Sequence, residues 1–191
     1  MQLQIYLISH PIIQKLVSEI LYCKQDTNYN LYKYEELGFL LMYEVLRKYI
    51  VVKKIYIKKV KYIQEIHIQN QKESYIIISD TTKSYKMITR ATCLFPKVII
   101  EHIGLNQYKN GYENIVNYTQ SLSHKLIYIL IVELHLNNYS IIKILDSIIK
   151  RDIKNSNQIL IICITCSNKI LEKLGNKYNN LHIYTTKITY K

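Results

Sequence analysis

The chain has no tryptophan, four glycines, two prolines and four cysteines in 191 residues, and 14 acidic residues stand against 26 basic ones. Long apolar runs are also missing. The longest, "KLIYILIV" and "ILIICIT", have strand length and fall far short of the roughly 20 residues that span a bilayer, so no transmembrane segment is expected. The opening "MQLQIYLISHP" lacks the basic start and small-residue cleavage site of a secretory leader. Cys23, Cys93, Cys163 and Cys166 are scattered apart from the pair in "IICITCSN". No second Cys/His pair at zinc spacing accompanies it, which favours buried strand thiols over a metal or redox centre. Glycine scarcity bears on one stretch above all: "IVELHLNNYSIIKILDSIIK" (131–150) reads as strand, polar turn and helix, the usual place for a phosphate in an α/β protein, yet the turn contains no glycine.

What is present describes a chain that folds. Hydrophobic residues make up 49% and charged residues 21%, an ordinary globular composition, and the length suits a single domain over 1–191. The formal net charge is +12 and there are 19 tyrosines. Ile, Lys, Asn and Tyr share A/T-rich codons, so a biased genome accounts for the lysines and for the shortage of glycine and proline. The alternative is a lysine-rich surface that binds nucleic acid by releasing counterions. Its best segment is "KYIVVKKIYIKKVKYI" (48–63), where basic and aromatic residues interleave around Lys54, Lys58 and Lys59. A solvated strand face explains the same pattern.

Apolar residues at helical spacing predict helices over 11–23, after a proline suited to a first turn, and over 31–49. Residues 53–69 alternate polar and apolar, as half-buried strands do. Continuous apolar runs follow at 75–79, 97–105, 125–132 and 158–165, with "LHIYTT" at 181–186. Helices are predicted at 84–94, 139–150 and 167–177. Strands apolar on both faces and separated by helices predict an α/β fold, with a central, mostly parallel sheet flanked by helices, amino-terminal helices and a β excursion. Ligands of such sheets sit beyond the carboxyl ends of the strands. The informative residues are therefore "SDTTKS" (79–84), "GLNQYKNGYEN" (104–114), "ELHLNNYS" (133–140) and "CSNK" (166–169).

Four pieces keep the order and spacing of one family. "HP" (His10, Pro11) precedes the first helix, "EELGFLLMYEVLR" (35–47) resembles a helix of form E-x-G-x-L-L-x-Y-E, "FPKVIIEHIGL" (95–105) resembles a strand ending in G-H-I-G, and "LHIYTTKIT" (181–189) resembles a strand reading E-L-Y-T-A-x-I-D. Over nearly its full length the chain resembles uracil phosphoribosyltransferase, of the type I phosphoribosyltransferase fold. The resemblance implies a reaction joining uracil to phosphoribosyl pyrophosphate (PRPP) to give UMP, for pyrimidine salvage, with Mg2+ and PRPP required only if that activity is retained. It also implies a homodimer.

The resemblance locates departures too. The family's phosphate loop, D-P-M-L-A-T-G-G-S, aligns with Ser140 and, further along, Asp146 matched, but Asn137, Asn138 and Tyr139 stand where Thr, Gly and Gly would be. A tyrosine there is expected to obstruct the close approach that glycine allows. Glu133 replaces the leading aspartate if the loop has lost one residue; otherwise Val132 takes that place. Thr82, Lys83 and Ser84 align with the R-A-G motif that contacts pyrophosphate, and lysine does not reproduce a guanidinium fork. Asn168, Lys169 and Ile170 align with a P-E-G element. The sequence stops at Lys191, before the family's G-Y-x-x-P-G-L-G-D-x-G-D segment for the base. The expectation is a divergent homologue with weak or no activity, with Glu133, Asn137, Asn138 and Ser140 as a PRPP-loop remnant and Thr82, Lys83 and Ser84 as a pyrophosphate-contact remnant. No catalytic residue, metal ligand or cofactor is assigned. His102, Asp80 and Glu101 are isolated groups near strand ends. The alternative is a non-catalytic basic module for a protein partner or RNA. Codon bias and a eubacterial-type relative suggest a plastid-encoded protein, or one of an A/T-rich endosymbiont.

Overall fold

The computed structural model describes residues 3–22, 27–70, 73–80, 84–95, 98–102, 126–151, 158–178 and 180–190. Strand β1 (Gln4–Leu7) leads into helices α1 (Pro11–Tyr22) and α2 (Thr27–Leu46). Strands β2 (Val52–Lys58) and β3 (Ile63–Gln69) follow, then β4 (Glu73–Ser79), a short helix α3 (Tyr85–Ile88), a 3-10 turn (Ala91–Leu94) and β5 (Val98–His102). The chain finishes with β6 (Leu126–Leu136), α4 (Ser140–Arg151), β7 (Ile159–Ser167), α5 (Asn168–Lys177) and β8 (His182–Thr189).

Among the described residues six strands form a sheet in the order β1-β8-β7-β6-β4-β5, and every pairing in it is parallel. Period-two alternation divides the side chains between two apolar layers. Ile76, Ile129, Ile131, Ile159, Ile161 and Ile183 meet α4 and α5 through Ile141, Leu145, Leu171 and Leu174. Ile77, Leu130, Val132, Leu160 and Ile162 meet α1 and α2 through Ile13, Val17, Leu37, Leu41 and Val45. Both faces are covered, which is why these strands read as unbroken apolar runs. Burial of each such side chain contributes about 1.5–3 kcal/mol.

Four differences from the sequence reading have physical causes. Strand β1, unassigned from sequence, is four residues long, largely exposed, and exists only because β8 offers its edge, Ile5 opposite Ile183. The helix predicted at 84–94 is broken into α3 and the 3-10 turn, with the α3 backbone at Met87 packed directly against Gly38 of α2. Helix α2 starts at Thr27 rather than residue 31. Strand β6 runs to Leu136, four residues past its apolar run, because β7 continues to pair with it through His135↔Thr165 and Leu136↔Cys166.

The β excursion is a separate antiparallel hairpin of β2 and β3. Every residue of β2 is exposed. One hairpin face bears Ile55, Ile57, Ile66 and Ile68, while the other bears Lys54, Tyr56 and Lys58 opposite His67, Glu65 and Ile63.

Candidate functional site

Strand β4 ends at Ser79, opposite Val132 of its parallel neighbour β6, and the residues that follow it enclose, with the last part of β6 and the turn beyond it, a cavity of about 330 Å³. Sites of this kind lie at the carboxyl edge of the sheet because backbone groups and helix amino termini are left unpaired there. From the β4 side the cavity is lined by Ile78, Ser79, Asp80 and Ser84. From the β6 side Glu133, His135, Asn137, Asn138 and Ser140 contribute, with an apolar wall of Ile131, Val132, Leu134 and Ile144.

The turn from β6 to α4 closes without glycine because it never needs one. Among the described residues the only positive φ belongs to Asn180, at 60°, so Asn137, Asn138 and Tyr139 all adopt backbone conformations open to ordinary residues. The Asn137 amide donates to the His135 carbonyl at 2.9 Å, and the Ile142 amide donates to the Tyr139 carbonyl at 3.1 Å. The tyrosine expected to obstruct the loop does not fill it. Its ring is half exposed and lies under the Lys173 ammonium of α5, 3.9 Å from the ring centroid, a cation–π contact that draws it outward. The asparagines line the cavity instead.

Of the predicted residues, Glu133, Asn137, Asn138, Ser140 and Ser84 are brought to one cavity. Glu133 lies within β6 opposite Cys163, and Val132 is fully buried in the α1/α2 layer. Thr82 and Lys83 lie outside the described residues, as does all of 104–114. Asp146, the other residue matched to the family's loop and helix, accepts from Tyr178 at 2.8 Å and pairs with Lys177 at 2.5 Å, tying α4 to α5. Asn168, Lys169 and Ile170 form the first turn of α5, with Ile170 buried. His102 and Glu101 sit on β5 and do not line the cavity.

Sequence reasoning missed His135. Its Nδ1 is 2.8 Å from Thr165 Oγ1, and partial burial lowers its pKa, so the ring stays neutral near pH 7. The available signal was the period-two continuation Glu133, His135, Asn137 beyond the apolar run. Ser84 is 1% exposed, makes no side-chain cap and has no hydroxyl partner among the described residues. Ser79, also buried, reaches only the Asp80 carbonyl at 3.5 Å.

The described side chains of the cavity differ in kind from the lysine-rich chain as a whole. In a chain of net charge +12, the described lining carries the carboxyl groups of Asp80 and Glu133 and no lysine or arginine. Their oxygens suit magnesium held jointly with substrate phosphates, although the described residues contain no group of three His, Cys, Asp or Glu placed for a metal ion. The thiol pair fits the buried reading: Cys163 and Cys166 are buried and free, and hydrogen bonding to Cys166 and burial push the Cys163 thiol up, away from the reactive thiolate.

Comparison with known proteins gives this cavity its context. The uracil phosphoribosyltransferase family model matches residues 7–191. A uracil phosphoribosyltransferase homolog of Porphyra purpurea is 32% identical over 189 residues, covering 98% of this chain and 89% of the relative. One from Pyropia yezoensis is 31% identical over 191 residues with the same coverage. Among solved structures, the AQ2163 protein of Aquifex aeolicus superposes with a TM-score of 0.72 over 97% of this chain and 87% of its own, at 15% identity, a likeness of fold. A parallel sheet flanked by helices, a cavity at its carboxyl edge and a full-length family match lead to one assignment: the chain belongs to the uracil phosphoribosyltransferase family.

Proposed function

We propose that the chain is a divergent uracil phosphoribosyltransferase homologue with weak or no capacity to form UMP from uracil and PRPP. One observation carries this reading: the described lining of the cavity, at the turn where the family's loop holds the 5′-phosphate, offers asparagine amides and two carboxyl groups, with neither glycine nor a cationic side chain. Phosphoribosyl transfer is catalysed chiefly by positioning and by stabilising charge on pyrophosphate. The amino terminus of α4 supplies part of an anion site, and Ser140 begins it. Asp80 and Glu133 would hold magnesium only as part of a magnesium–pyrophosphate complex. The test is UMP formation by purified protein from labelled uracil, PRPP and magnesium beside an active family enzyme. Turnover at background is expected. Turnover above background that is abolished in Glu133→Ala would overturn the reading.

A second reading, a non-catalytic assembly module, is favoured by the exposed hairpin. Ile55, Ile57 and Ile68 are each at least 40% exposed on one face, and an isolated two-stranded hairpin is marginal in water. On the opposite face Lys54 is paired with Glu65 at 2.9 Å and His67 with the same carboxylate at 3.2 Å, which reduces the charge available to RNA. A second copy is the partner this reading names, in keeping with the expected homodimer. Sedimentation would show a dimer; a salt-sensitive shift with RNA, lost when Lys54, Lys58 and Lys59 are neutralised, would favour nucleic acid instead. Plastid expression is the setting we propose, on compositional grounds.

A further inference from the structure

We infer that the tip of the β2–β3 hairpin docks on the surface of an anionic lipid bilayer, with Lys58 and Lys61 on the headgroups and Val60 and Ile63 against the acyl boundary. Residues 51–69 hold nine of the nineteen large apolar side chains that are exposed among the described residues. They also hold five lysines against a single carboxylate, Glu65. Exposed apolar side chains scattered singly are ordinary, whereas a contiguous group marks an interaction surface.

Charge and apolarity meet at the tip. The Lys59 amide donates to the Tyr62 carbonyl at 2.9 Å, closing a turn with Val60 and Lys61 at its apex. Val60 is fully exposed there, and Ile63 is 67% exposed. The Lys59 ammonium donates to the Tyr62 hydroxyl at 3.3 Å and lies 5.2 Å from its ring centroid, which braces the turn. Lys58 and Lys61 make no ion pair among the described residues, because the hairpin's one carboxylate is held by Lys54 and His67. Ile63 stands opposite Lys58 on the face away from Ile55, Ile57 and Ile68, so a second copy seated on those isoleucines would not cover it.

A bilayer of negative charge matches both halves of the tip. Headgroups attract the lysines and the acyl boundary takes valine and isoleucine, the two contributions that set interfacial binding. Lysine stems lie along apolar surface while their ammonium groups stay among the headgroups, and tyrosine favours the same depth. The turn's backbone remains where water reaches it. Among the described residues no helix is long and apolar enough to cross a membrane; the contact is with the surface. RNA would match the lysines but not the apex. Single strands gain from stacking on aromatic rings, whereas the apex carries valine and the Tyr62 ring is shared with Lys59.

The experiment is co-sedimentation of the full chain with phosphatidylcholine vesicles containing about 30% phosphatidylglycerol, beside vesicles of phosphatidylcholine alone. Binding is expected with the anionic vesicles only, and is expected to weaken as salt screens the lysines. Lys58→Gln with Lys61→Gln is expected to weaken it about 25-fold, about fivefold per lysine. Lys15→Gln with Lys86→Gln, at exposed positions of α1 and α3, is expected to change it by no more than about twofold. Val60→Asp is expected to weaken it by at least about tenfold, with the thermal midpoint unchanged. Equal losses in the two lysine pairs, or binding indifferent to Val60→Asp, would reduce the effect to the net charge of +12 and overturn the inference. Absence of binding to anionic vesicles would overturn it as well. An RNA shift lost with Lys58 and Lys61 but not with Val60, without vesicle binding, would give the tip to nucleic acid. Dimers dissociated by Val60→Asp, again without vesicle binding, would give it to a second copy.

Discussion

At the scale of single residues, Gly38 shows how a family pattern becomes physical. A methyl group at this position would lie 2.1 Å from the Met87 carbonyl oxygen and 2.6 Å from its Cα, so the glycine of "EELGFLLMYE" is the point where α2 touches the backbone of α3. Glu35 and Glu36 flank the contact, Glu35 accepting from the Thr89 hydroxyl at 3.3 Å and Glu36 pairing with Arg90. Gly38→Ala gains up to about 1 kcal/mol in helix propensity, but backbone cannot yield as a flexible side chain does. The overpacking is expected to prevail, with a net destabilisation of about 1–3 kcal/mol in urea unfolding. An unchanged or raised midpoint would show that α3 moves aside freely. Because α3 follows Ser84 directly, this contact also fixes one wall of the cavity.

At the scale of elements, sheet and hairpin obey different constraints. Strand β7 is buried from Ile159 to Cys166 between two helical layers. Ile162→Ala there is expected to cost about 2–5 kcal/mol, the transfer term plus a cavity that neighbouring strands cannot close. Ile57→Ala on the hairpin, where the side chain is already 43% exposed, is expected to change unfolding by no more than about 0.5 kcal/mol in dilute protein. A loss above about 1 kcal/mol that grows with protein concentration would instead place Ile57 in an interface. Element type was readable because each apolar run kept one period; element ends were not. Strand β1 depends on an edge more than 170 residues away in sequence, and β6 reaches Leu136 only because β7 carries the ladder on.

At the scale of the whole molecule, acid is expected to act in two separate windows. Burial lowers the pKa of His135, and burial together with the Lys48 ammonium lowers that of His182. Unfolded, each titrates near about 6.5, so below that pH the unfolded chain binds more protons and stability falls until pH passes the lowered folded values. Glu19 runs at lower pH. Its hydrogen bond to Lys33, 2.8 Å away, lowers its pKa, so the stability it contributes is present above its unfolded value and is lost as pH falls through the folded one. Urea unfolding from pH 7 to 5 is expected to show the histidine loss, flattened in the double variant His135→Gln, His182→Gln; an equal slope in that variant would reject the assignment.

Sequence alone determined the order of the main helices and strands after β1, the parallel buried sheet and the family, since these follow from periodicity and from residues that keep local order. It also located the β6–α4 turn and five residues of its cavity, because a parallel sheet dictates where a site lies. Tertiary structure decided the rest. It turned the Tyr139 ring to Lys173, carried His135 into the cavity and engaged Asp146 with Tyr178 and Lys177. Each depends on which distant side chain lies within a few ångströms, a distance set by the packing of whole elements and written in no local stretch of chain.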